Sequence, residues 1–82
     1  MSTIRERVLP VICETFEVAV NEISLGTPLG ELGDNLSQLA LLFELEAAFG
    51  ISVDEAEFEA NCGNVGDVVD LVEVKVIARE AA

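Results

Sequence analysis

The chain has 82 residues, 51% of them hydrophobic, and a formal net charge of −12 from 16 acidic against 4 basic side chains. That composition describes one globular domain rather than a disordered segment. It excludes nucleic acid as a ligand, because phosphate binding needs clustered Lys and Arg. The absence of histidine and of any C-x-x-C argues equally against zinc. A chain of this mass exposes about 4,800 Å² when folded, so stability rests on one modest core. The surplus of acid favours partners with basic patches.

Taken in order, Thr3-x-x-Glu6 is a capping box that opens a first helix, expected over residues 4–19. Ile4, Val8, Val11 or Ile12, and Thr15 or Phe16 carry its apolar period. Pro10 conflicts with it by removing a hydrogen bond to the Glu6 carbonyl, so the helix should bend there or fray before it. Residues 21–34, NEISLGTPLGELGD, read as a long loop anchored by Ile23, Leu25, Leu29 and Leu32. Loops of this length are often functional.

The second helix starts near Asp34–Asn35 and ends at Phe49–Gly50. Both Asp34 and Asn35 are good N-caps, Asn35-x-x-Gln38 has capping-box spacing, and Gly50 is a left-handed stop. Asp54-x-x-Glu57 opens a short third helix that ends near Asn61–Gly63. Asn64 caps the last helix, with Val65, Val68, Val69, Val72 and Val76 at helical spacing. Val72–Val76 also alternates as a strand does. The longer period, with Asp67 and Asp70 early and Lys75 and Arg79 late, suits a helix dipole and decides for helix.

The chemistry of catalysis is missing. Without His or Tyr the usual bases are gone, the acids fall mostly on solvated faces, and no window matches a calcium-binding EF-hand loop. The chain is expected not to be an enzyme. Cys13 and Cys62 read as small core hydrophobes in a reducing compartment. The N-terminus is charged within seven residues and no run is long enough to span a membrane, so a cytoplasmic location is expected. No flanking linker is present, which suggests a free-standing protein, a single domain over residues 1–82.

The stretch LGDNLSQLALLFELEAAFGI resembles the acyl carrier protein family, whose members read LGxDSLxxVELxxxLEEEFGI. The matched positions are Leu32, Gly33, Asp34, Leu36, Leu39, Leu41, Leu45, Glu46, Phe49, Gly50 and Ile51. STIRERVLPVICETFEV is similar to the family's first helix and NVGDVVDLV to its TVGDAVDYI segment. The resemblance implies an all-α, four-helix acyl-carrier-like bundle, with three main helices, a short third helix and a long first loop. It implies membership of a thioester-based pathway, such as fatty acid or polyketide biosynthesis, in which phosphopantetheine is attached to a serine at the start of the second helix.

Three departures stand out. Asn35 falls on the attachment serine, flanked by the matching Asp34 and Leu36. An amide nitrogen is a poor nucleophile, its lone pair being delocalised into the carbonyl, so no cofactor is expected as the chain stands; phosphopantetheine is expected if residue 35 were Ser. Reaching the nearest hydroxyl, Ser37, needs a two-residue shift that breaks the downstream matches. Second, Gly33 abuts Asp34 where the family keeps a residue between them. Third, the second helix is the family's acidic recognition helix, yet several of those positions here are Ser37, Ala40, Ala47 and Ala48. Leu36, Leu39, Leu42, Leu45 or Leu41, and Phe49 suffice for one buried stripe, which leaves Ala40, Phe43 and Ala47 as an exposed strip with one more leucine at its border. The partner-facing candidates are therefore Leu36, Ala40, Phe43, Glu44 and Ala47, facing a thioester-pathway enzyme, another carrier-fold protein, or a second copy of the chain. The competing accounts are an ordinary carrier whose serine has been substituted, and a small acidic interaction module with no thioester role.

Overall fold

The computed structural model describes residues 3–81; Met1 and Ser2, on which part of the N-terminal reading rests, lie outside them. Helix α1, Ile4–Phe16, opens on the expected capping box: the Glu6 N–H donates to Thr3 Oγ1 at 3.2 Å and the Thr3 N–H to Glu6 Oε2 at 3.4 Å. It runs unbroken through Pro10, which sits on its exposed side. It stops three residues short of the expected end because Glu17 turns left-handed, φ 57°, ψ 46°.

The connection that follows is more structured than a loop. It holds a 3-10 turn at Val20–Glu22 and a one-turn helix, α2, at Leu29–Leu32. Its centre is laced to the start of the last helix: Leu29 N–H to Gly63 O at 3.0 Å, Val65 N–H to Thr27 O at 3.0 Å and Gly66 N–H to Leu25 O at 2.7 Å. Leu29 is fully buried, and Ile23 and Leu32 pack against the core. Leu25 corrects the sequence reading: its side chain is exposed, and its carbonyl is the anchor.

Helix α3, Asn35–Phe49, ends at Gly50 in the left-handed conformation, φ 63°. Helix α4, Glu55–Asn61, is capped by Asp54, whose Oδ1 accepts from the Ala56 N–H at 2.8 Å. The turn between them is held by Glu46, whose Oε2 accepts from the Val53 N–H at 2.9 Å. Helix α5, Val65–Ala81, starts with a reciprocal pair. Asn64 Oδ1 accepts from the Asp67 N–H at 2.8 Å, while Asp67 Oδ2 accepts from the N–H groups of Gly63 and Asn64. Asp67 in the first turn and Arg79 in the last fit the helix dipole, and Val72–Val76 is helical.

Helix α1 packs against both α3 and α5, and short α4 closes one side of α3. One apolar core fills the space, from Val8 and Ile12 of α1, Leu41, Leu42, Leu45 and Phe49 of α3, Phe58 of α4 and Val65, Val68, Val69, Val72 and Val76 of α5. The accessible surface is 4972 Å², close to the value expected for this mass. Lys75 Nζ lies 2.9 Å from Glu57 Oε1 and joins α5 to α4; both partners are part-exposed, so the pair contributes under about 1 kcal/mol. The result is the expected all-α bundle, with a one-turn helix added inside the long connection.

Candidate functional site at the start of α3

Two backbone features build the approach to α3. Gly33 is extended, φ −172°, and a Cβ there would lie 2.7 Å from the Phe16 ring and 2.8 Å from Ser37 Cβ. The chain can pass this close to α1 only without a side chain. Asp34 then turns the chain into the helix: its Oδ1 accepts from the Ser37 N–H at 2.9 Å and its carbonyl from the Gln38 N–H at 3.0 Å. The Ser37 N–H, with its hydroxyl adding to it, holds the Asp34 carboxyl below its ordinary value of 3.8.

The cap is therefore Asp34, and Asn35 is the first helical residue. The capping box expected at Asn35-x-x-Gln38 does not form. Gln38 instead reaches back past Asn35, its Nε2 donating to Gly33 O at 3.1 Å. The physical reason is order: whichever residue holds the extended backbone takes the cap, and Asp34 has φ −80°, ψ −177°. Asn35 is exposed, and among the described residues its side chain has no hydrogen-bond partner.

Asn35 stands at one end of a cleft of about 300 Å³ between α3 and α4. Leu39, Leu42, Phe58 and Cys62 give the cleft an apolar lining, and Gln38, Glu55 and Glu59 a polar one. Sequence reading missed Phe58 and Cys62 as part of this site. The lone aromatic in EAEFEAN was the available signal. Cys62 is not an alternative handle: burial, with Asp67 and Glu57 adding to it, pushes its thiol up to about 11, so it stays protonated near neutral pH. Cys13 is also free and is raised by burial and by Glu22.

The outer face of α3 corrects the expected stripe. Leu36 is 76% exposed rather than buried, and Leu41 and Leu42 are both buried. Leu39 is half-buried. The helix thus spends its inward face on Leu41, Leu42, Leu45 and Phe49, and Leu36 joins Ala40, Phe43 and Ala47 in an exposed apolar strip with Glu44 at its side. All five partner-facing candidates are solvent-exposed.

Residues 6–72 match the family described as phosphopantetheine attachment site, and the chain belongs to that family of acyl carrier domains. It is 39% identical over 62 residues to nodulation protein F of Rhizobium leguminosarum bv. viciae, an alignment covering 72% of this chain and 67% of that protein. Phosphopantetheine is the prosthetic group of the family. Its attachment chemistry needs a hydroxyl nucleophile. Position 35 offers an amide in place of a hydroxyl, and Ser37 is half-buried, with its Cβ beneath Gly33. Among the described residues no helix is long and apolar enough to cross a membrane.

Proposed function

We propose that this chain is a carrier-fold protein of a fatty acid, polyketide or related thioester pathway that takes no phosphopantetheine and acts by docking to a pathway partner through α3. It performs no catalysis of its own. The observation that carries this reading is the state of the attachment position. Asn35 occupies the first turn of α3 and is exposed at the cleft, but it has no hydroxyl to attack the phosphate of coenzyme A. The rest of the helix start, Gly33, Asp34 and the Ser37 N–H, is in order around it. The apolar strip Leu36, Ala40, Phe43 and Ala47 supports docking as the remaining activity, since a contiguous exposed apolar face of this kind marks an interaction site.

The experiment is to offer coenzyme A and a promiscuous phosphopantetheinyl transferase to an Asn35→Ser variant and to an Asn35→Ser, Ser37→Ala variant, and to measure intact masses. Both should gain one arm, because the frame around residue 35 is preserved. Arm addition that disappears with Ser37→Ala would assign the attachment to Ser37 and contradict the reading.

A further inference from the structure

The exposed strip of α3 has a pattern of its own. Leu36, Ala40, Phe43 and Ala47 are spaced 4, 3 and 4 residues apart, the alternation of the inner positions of a coiled-coil heptad. All four are exposed, Leu36 at 76% and Phe43 at 53%. Large and small side chains alternate along the row. Set antiparallel against itself, it places Leu36 opposite the second copy's Ala47 and Phe43 opposite the second copy's Ala40, and the two-fold axis repeats both pairs. Each bulky side chain then meets an alanine, which lets the two helices approach closely. Parallel pairing would instead set Phe43 on the second copy's Phe43 and leave gaps at the alanines.

The charges agree with the antiparallel sense. Helix α1 runs opposite to α3: the Arg7 guanidinium lies 4.8 Å from the centroid of the Phe49 ring at the end of α3, while the Phe16 ring meets Gly33 just before its start. Exposed Arg5 and Arg7 therefore mark one end of the strip, and exposed Glu31 and Asp34 the other. Antiparallel pairing brings Arg5 and Arg7 of each copy level with Glu31 and Asp34 of the other, twice over. Parallel pairing would set Arg7 beside Arg7 and Asp34 beside Asp34. Along the seam Glu44 falls across from the second copy's Ser37, so no carboxylate of the strip directly faces another. Beside the seam runs a groove of about 510 Å³ between α1 and α3, lined by Val11, Glu14, Thr15, Ala40, Glu44 and Ala48. The two-fold axis turns Glu14 on this flank towards its own equivalent. That like-charge cost, with the net charge of −12 per chain, weakens the pairing.

We infer that α3 pairs antiparallel with α3 of a second copy of the chain, in a weak two-fold dimer held by Leu36, Ala40, Phe43 and Ala47 and flanked by Arg5 and Arg7. This occupant rests on the docking reading above: it is what covers the strip when no pathway protein does, and the dimer must part before such a protein takes the strip. One helix face per copy falls well short of the roughly 800 Å² per partner of a stable interface, so the dimer forms only at high concentration. The apolar side of α5 is a poorer occupant. Val74 and Ile77 bring exposed Asp70 and Glu80 with them, and a contact between unlike faces does not close on itself.

The test is sedimentation equilibrium of the native chain from about 10 µM to about 1 mM, with ¹⁵N NMR spectra over the same range. The mass should rise from one chain towards two, and the amides of Leu36, Ala40, Phe43 and Ala47 should shift with concentration. Ala40→Glu, with its helical circular dichroism unchanged, should remain a monomer throughout. Arg7→Glu should weaken the dimer about fivefold, whereas Val74→Glu, Ile77→Glu, which adds the same two negative charges on α5, should weaken it by less than about twofold. A chain that stays monomeric at every concentration would leave the strip to a different protein and overturn the inference. So would concentration-dependent shifts confined to α4 or α5, a dimer that survives Ala40→Glu, or an Arg7→Glu variant that pairs as well as the α5 variant or more tightly. The arm-free reading is scored separately by mass, so the failure of one is distinguishable from the failure of the other.

Discussion

At Asn35 the family pattern and local helix chemistry give different accounts of one residue. As a helix start the segment is complete, but Asp34 supplies the cap and Asn35 follows it with an exposed amide that is unpaired among the described residues. Sequence alone could not choose between two adjacent good caps, because the choice depends on which one holds extended backbone. The Asp34 carboxyl, depressed by the Ser37 N–H, gives the cap a pH signature. Its contribution is present above the ordinary aspartate value and is lost as pH falls through the lowered folded value. Thermal melts of the native chain and of Asp34→Asn should therefore differ near neutral pH and converge under strongly acid conditions. Gly33 and Glu17 are also residue-scale matters. Gly33→Ala should cost about 1–3 kcal/mol, since the Phe16 ring and Ser37 Cβ leave no room for a methyl group. Glu17→Gly should stabilise by about 1 kcal/mol by relieving the left-handed φ, raising the melting temperature by about 4–8 °C. The Glu17 stop was illegible in the sequence because a glutamate carries no left-handed signal.

Among the elements, α1 and α3 each show a limit of periodicity. Pro10 announces a break, yet the packing of Val8 and Ile12 into the core holds the helix through it. Pro10→Ala should restore the hydrogen bond to the Glu6 carbonyl and stabilise by about 2 kcal/mol, read by chemical denaturation. Helix α3 is apolar on nearly every side, so its sequence admits more than one buried stripe, and the tertiary partners decide which. The caps at Thr3, Asp54 and Asn64 and the stop at Gly50 were legible because each is a local hydrogen-bond or φ requirement. The face of α3 was legible only in part: Leu36, expected both in the buried stripe and among the partner-facing residues, lies on the exposed side. Denaturation again separates the two stripes: Leu36→Gln should change stability by no more than about 0.5 kcal/mol, whereas Leu41→Ala should cost about 2–5 kcal/mol.

For the whole molecule, the connection between α1 and α3 is part of the fold rather than a tether. Its lacing to Gly63, Val65 and Gly66 closes the bundle at the end where α3 begins, and so fixes residue 35 in space. The family pattern made the bundle legible in advance, since size, acidity and the motif order agree with it. The α3–α4 cleft and the α1–α3 groove were not legible, because each is lined from two helices whose docking no local pattern encodes. The central claim, a carrier fold without its arm, is tested most directly on the native chain. It is incubated with coenzyme A and a promiscuous phosphopantetheinyl transferase beside a serine-bearing carrier, and intact mass is recorded for both. The account predicts that the serine-bearing carrier gains one phosphopantetheine and the native chain gains nothing. A native chain that gains the arm would contradict it.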